Sequence, residues 1–141
     1  VLEAGVIRGG RAERPLEIRL ARLHAGLVEL LETFRPTTIA VEQVHSQMRR
    51  PLAAVQLAHA RGVLVLAAGQ RGISVVGYSA TGVKRTLTGN GRASKDQVQN
   101  AIRIELGLDS FPQPSDVADA CALALCHLAQ EAGRQRLAEI G

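Results

Sequence analysis

At 141 residues, with 46% hydrophobic and 21% charged side chains, the chain has the size and make-up of one globular domain able to bury its own core. Aromatics are only 2%, so that core must come from Leu, Val, Ile and Ala, and the longest unbroken apolar runs, 63–68 and 120–126, fall well short of the ~18 residues of a membrane span. The net charge is +4 with a pI near 9.8, but it is segregated. Between Glu42 and Asp96 there is no Asp or Glu, while Arg49, Arg50, Arg61, Arg71, Lys84, Arg85, Arg92 and Lys95 all lie there, a pattern that suits a polyanionic partner as well as a plain solvated face.

In chain order, residues 1–8 read as a short strand ended by Gly9-Gly10. They carry neither the basic flank nor the long apolar stretch of a secretory signal. Pro15 opens a long amphipathic helix in which Leu16, Leu20, Leu23, Leu27, Leu30 and Leu31 recur at helical spacing, and Pro36 stops it. Residues 37–41, apolar at Ile39, Ala40 and Val41, suit a central parallel strand covered on both faces. Pro51 fits the first turn of a second helix reaching about Gly69. A further buried-type strand covers 73–78.

Ser79 or Thr81 caps a short helix through Lys84 and Leu87, closed by Gly89-Asn90-Gly91. Ser94 heads the next helix, with Val98, Ile102 and Leu106, ending near Gly107. Pro112 and Pro114 precede a last helix from Ser115 or Asp116 into the 130s. No repeat, low-complexity tract or linker interrupts this order, so 1–141 reads as a single domain. Strands alternating with helices imply an α/β fold whose sheet collects ligands at the carboxyl ends of its strands. Glu42 stands at such an end.

An ionised Glu42 directly after a buried strand either reaches water or is paired with a cation or metal. Asp116 and Asp119, three apart at the start of the last helix, lie about 60° apart on neighbouring parts of one face. They suit the positive end of the helix dipole. The small and apolar Ala118, Ala120, Cys121, Ala122, Ala124 and Leu125 around them predict a mostly buried helix, which would turn Asp119 into an interior or cleft. Three such carboxylates form a hard-oxygen set suited to Mg²⁺ or Mn²⁺ rather than zinc.

His24, His45, His59 and His127 have no metal-binding spacing. His45, between Glu42 and Arg49-Arg50, could stack on a base or touch a phosphate. Gly89-Asn90-Gly91 could offer backbone amides to a phosphate. Cys121 and Cys126 point to different sides of one helix, which disfavours a disulfide within it and fits a reducing, cytoplasmic setting.

Several segments together resemble the RuvC family of crossover junction endodeoxyribonucleases. Ile39-Ala40-Val41-Glu42-Gln43-Val44 is similar to the family's second acidic motif. The segment 57–63, with Ala60-Arg61-Gly62-Val63, is similar to the stretch that succeeds that motif in the family. Tyr78, Val83-Lys84 and Gly89-Asn90-Gly91-Arg92-Ala93-Ser94-Lys95-Asp96-Gln97-Val98 make the longest match. Ala118-Asp119-Ala120, Ala122-Leu123-Ala124-Leu125 and His127 resemble the final acidic motif.

The resemblance implies a ribonuclease H-like fold, with a mixed central sheet flanked by helices on both faces. It implies a homodimer that resolves Holliday junctions by paired, metal-dependent nicks in four-way junction DNA. Glu42, Asp116 and Asp119 then become metal-binding acids for about two Mg²⁺ (or Mn²⁺) ions. Lys84 and Lys95 become basic residues beside the reacting phosphate, and His45, Arg49, Arg50, Arg85 and Arg92 become DNA contacts. A RuvA–RuvB branch-migration complex is an implied partner; a membrane is not.

Two features depart from the family pattern. Members open with a strand carrying Gly-Ile-Asp-Pro-Gly, whose Asp completes the acidic cluster, whereas residues 1–8 resemble the family's third strand. The expectation is a natural protein with roughly two further N-terminal strands of ~5–6 residues each. Some relatives carry Phe where His45 stands, as a wedge into the junction. The rival readings are another ribonuclease H-like nuclease (a transposase or an RNA–DNA hybrid nuclease), a non-catalytic junction-binding module, and a metabolic α/β protein with structural acids.

Overall fold

The structure, a computed structural model, describes residues 1–43 and 51–140. Its elements run α1 (Leu16–Phe34), β1 (Thr38–Glu42), α2 (Pro51–Gly69), β2 (Ser74–Tyr78), α3 (Ala80–Thr88), α4 (Lys95–Glu105) and α5 (Ser115–Ile140). The chain divides into two compact units. One comprises Val1–Val6, Ala40–Gln43 and Gly77–Gly141; the other comprises Ile7–Ile39 and Val44–Val76. Each strand is shared by both.

The second unit is built on α1 and α2, which pack together. The leucine stripe forms α1 as its spacing requires, with Leu31 buried. Arg35 ends the helix in the left-handed region (φ 44°), its N–H donating to Leu31 O at 3.0 Å, and Pro36 bars any continuation. Arg71 ties the end of α2 to the end of α1, donating to Glu32 Oε1 at 2.8 Å and to Ala67 O at 3.3 Å.

The expected strand at 1–8 does not form. Among the described residues the sheet consists of β1 and β2 alone, and Val1 and Leu2 are 79% and 90% exposed. A strand needs a neighbour's ladder; an apolar pattern supplies only the face. Ile7 instead lies on α1, where a Cβ at Gly26 would stand 2.8 Å from Ile7 Cγ2.

A second correction concerns α2. Counting unbroken apolar runs misses the window Leu52–Gly69, whose 18 residues have a mean hydropathy of 1.5, long and apolar enough to cross a membrane by length and composition, with 11% of it buried. Gln56, His59 and Arg61 interrupt the apolar run without lowering the mean below that mark. Length and hydropathy alone do not separate a span from a helix that packs on another.

β1 and β2 are parallel. Ser74 N–H donates to Thr37 O at 3.2 Å at one end, and Gln43 N–H donates to Tyr78 O at 2.8 Å at the other, so both strands advance in the same direction. Val41 and Tyr78 are the buried members.

In the first unit, α3, α4 and α5 pack on one another around Val83, Ala93, Ile102, Val117, Ala118, Ala122 and Cys126. Ser79 caps α3, its Oγ accepting from Gly82 N–H at 3.1 Å, and Gly89 closes it at φ 75°, a conformation that costs a glycine little. Ser94 opens α4 with a complete capping box: Gln97 N–H donates to Ser94 Oγ at 3.2 Å, and Ser94 N–H donates to Gln97 Oε1 at 2.9 Å. Ser94→Ala is therefore expected to cost about 1 kcal/mol, read as a lower denaturation midpoint with an unchanged m-value; an unshifted midpoint would contradict that role.

Candidate nucleic-acid interface and acidic site

Glu42 is the last residue of β1 and is exposed. The residue after it holds the strand ends together. Besides its backbone bond to Tyr78, Gln43 donates through Nε2 to Gly77 O at 3.3 Å. A Cβ at Gly77 would stand 3.0 Å from Gln43 Cγ, so a larger residue there would press on the Gln43 side chain. Gln43 is legible in the sequence only as a motif neighbour; nothing in its spacing marks it as a clasp.

Asp116 lies in the first turn of α5 and Asp119 comes one turn later; both are exposed. The expectation that Asp119 faces an interior is not met. The buried arc of α5 is Val117, Ala118, Ala122 and Cys126, whereas Ala120 and Ala124 are exposed like the acids. Alanine is the best helix former in water as well as in a core, so a run of alanines signals helix more reliably than burial.

Among the described residues, no group of three or more His, Cys, Asp or Glu is gathered closely enough to hold a metal ion. Glu42, Asp116 and Asp119 are not brought together, and as placed they do not fit a Mg²⁺ site. On α5, Nδ1 of His127 lies 2.7 Å from the Tyr78 hydroxyl at the end of β2. Asp119 and Asp116 come about 12 and 16 Å earlier along the helix axis.

The basic residues form a more coherent group. Lys84 is half-buried and Arg85 exposed on α3; Arg92 is exposed in the connection to α4, and Lys95 is exposed as its first residue. The connection folds tightly back on α3: a Cβ at Gly91 would stand 2.9 Å from Thr81 Cγ2 and 3.5 Å from an Arg85 guanidinium nitrogen. Asn90 organises it. Arg92 N–H donates to Asn90 Oδ1 at 2.9 Å, Asn90 N–H donates to Thr88 Oγ1 at 3.2 Å, and the Thr88 hydroxyl lies 2.8 Å from Lys84 O. Arg71, by contrast, is committed to Glu32. His45, Arg49 and Arg50 lie outside the described residues.

An open cavity of about 860 Å³ in the unit of α1 and α2 is lined by Leu31, Arg35, Pro36, Gln70 and Ile73, with Glu32 and Arg71. None of the expected site residues lines it. Cys121 and Cys126 are both free, and burial pushes the Cys121 thiol above its ordinary range.

Residues 1–127 match the family model described as crossover junction endodeoxyribonuclease RuvC. The chain belongs to the RuvC family. It is 46% identical over 124 residues to the RuvC of Rhodopirellula baltica, covering 88% of this chain and 69% of that one. To the RuvC of Moorella thermoacetica it is 42% identical over 134 residues, covering 95% and 79%. Among solved structures it resembles Thermus thermophilus RuvC in complex with a Holliday junction substrate, with a TM-score of 0.86 at 35% identity, covering 92% of this chain and 78% of that one. A second Thermus thermophilus RuvC structure matches with a TM-score of 0.80 at 36% identity, covering 87% and 74%. The RuvC likeness makes the fold α/β and ribonuclease H-like, a central sheet flanked by helices, of which β1 and β2 are the described strands.

Proposed function

We propose that this chain binds four-way DNA junctions as a single ribonuclease H-like domain of a RuvC-type, structure-selective endonuclease. The observation that carries this is the family match across residues 1–127, joined to the structural likeness to a RuvC solved with a Holliday junction substrate. Lys84, Arg85, Arg92 and Lys95 support it as phosphate contacts, with His45, Arg49 and Arg50 added by their place in the motif. Phosphate contacts carry no sequence information, so selectivity on this reading comes from the shape of the junction.

Junction binding is the part that the described side chains support most directly. The ungathered acids favour, as a second reading, a junction-binding module without cleavage. Cleavage by paired phosphodiester hydrolysis in recombination and repair is the further part. Its proposed acids are Glu42, Asp116 and Asp119, with Mg²⁺ or Mn²⁺ as the ions and Lys84 and Lys95 beside the phosphate. As these acids stand, no hydrolytic step is derived from them. A homodimer would match a junction with two equivalent strands, and exposed Leu52, Val55 and Leu66 on α2 offer apolar surface for a second copy to cover. A cytoplasmic setting and a RuvA–RuvB partner belong to the same proposal.

The test is a titration of the chain with a four-way junction, a linear duplex and an RNA–DNA hybrid of equal length across a salt series. The expected result is tighter binding of the junction, with log K falling linearly in log salt. Lys84→Ala should flatten that slope by about 0.9, the release of counterions from one phosphate, and weaken binding several-fold. Equal affinity for junction and duplex would sink the proposal, and preferred cleavage of the hybrid would replace it with another ribonuclease H-like nuclease. With Mg²⁺ present, a tightly bound but uncut junction would establish the second reading.

A further inference from the structure

Tyr78 and His127 have no part in the function proposed above, yet the structure joins them closely. The chain has one tyrosine and no tryptophan, and that tyrosine is 6% exposed at the end of β2. Its hydroxyl lies 2.7 Å from His127 Nδ1, and the two rings meet edge to face, 6.0 Å between centroids at 61°. The residues are 49 apart in sequence, so the bond ties α5 to the strand end. The backbone of the same tyrosine accepts from Gln43, the neighbour of Glu42.

Burial first, then the Cys126 thiol, holds the Tyr78 phenol above its ordinary range, with Glu131 adding to the rise and Arg134 opposing it. The phenol is therefore neutral near pH 7 and has a proton to donate. That hydroxyl can donate to Nδ1 of His127 or accept from it, according to which ring nitrogen carries the proton. Asp116 stands eleven residues before His127, about 20° from eclipsed on the same side of the helix, so turning or sliding α5 at His127 would carry Asp116 with it.

We infer that Tyr78 and His127 are a positioning pair: their hydrogen bond sets the rotation and axial register of α5 against the end of β1 and β2, and so sets where Asp116 and Asp119 ride relative to Glu42. The consequence for cleavage rests on the function proposed above; the register itself does not.

Tyr78→Phe removes one oxygen and leaves the ring to fill its place. Nitrogen-15 NMR of the imidazoles is expected to show a hydrogen-bonded Nδ1 for His127 in the wild type. The variant should lose that hydrogen-bonded Nδ1 shift, and amide exchange should quicken from Asp116 to His127. Unchanged imidazole shifts and unchanged exchange would overturn the pair. For junction cleavage, Tyr78→Phe and His127→Leu are expected to lower the rate at saturating junction roughly tenfold, as misplacement of reacting groups does, while affinity is unchanged. His127→Asn, which keeps a hydrogen-bonding group near the Nδ1 position, should restore most of the rate; failure of that rescue with affinity intact would overturn the functional role. A wild-type chain that does not cut the junction would overturn the cleavage reading, and the imidazole and exchange measurements would still decide the register.

Discussion

On the cleavage reading proposed above, Glu42→Gln is expected to reduce junction cleavage on the order of 10²-fold or more, the scale on which one pre-organised electrostatic group in an active site is felt, while leaving junction affinity within about twofold. The substitution keeps the size of the side chain and removes only its charge. Glu42 is exposed at the last position of β1, and a denaturation curve of the variant beside the cleavage assay separates lost chemistry from lost fold. Affinity should hold or rise slightly, since an anion near DNA phosphates is removed. Single-turnover cleavage with Mg²⁺ and a parallel binding titration separate the two quantities. Cleavage undiminished in the variant would remove Glu42 from the reaction. Equal loss of binding and rate would assign it to DNA engagement instead.

The second large effect concerns the core of the α3–α4–α5 unit. Ile102, 1% exposed on α4, is one of the two largest fully buried side chains among the described residues. Ile102→Ala keeps helix propensity high but deletes three carbon atoms from a packed site, and about 2–5 kcal/mol of stability should go with them. Against the usual total of roughly 5–15 kcal/mol, that is a large fraction. Chemical denaturation should show the midpoint falling with the m-value unchanged. Ile104, two residues on in the same helix, is 65% exposed, and Ile104→Ala should change stability by less than about 0.5 kcal/mol. Equal effects at the two positions would mean that α4 does not present Ile102 to this core.

The contrast between those isoleucines shows what a sequence can carry. The stripe from Leu16 to Leu31 yields α1, and the β-branched run ending at Val41 yields β1. Ser94 with Gln97 three residues on marks the start of α4, because period and capping chemistry are local and repeat in every protein. Residues 1–8 fail as a strand because pattern fixes a face and says nothing of a ladder partner. Asp119 stands outside although its alanine neighbours suit a core, because they suit an exposed helix equally well. The acidic and basic residues can be named from their motifs, but whether carboxylates meet depends on how far along α5 the helix docks. The Tyr78–His127 contact bears on that docking, and it joins residues too distant in the chain for any spacing rule.

The Asn90-centred turn has a thermodynamic consequence. Its side-chain and backbone bonds, with Gly91 seated against Thr81, hold the arc between α3 and α4 in one shape before any ligand arrives. A phosphate docking against Arg92 and Lys95 would then meet backbone that has already given up its freedom on folding, and the attraction there would be spent little on ordering the loop. Loosening that arc at Asn90, with every cation left in place, would weaken association through entropy alone.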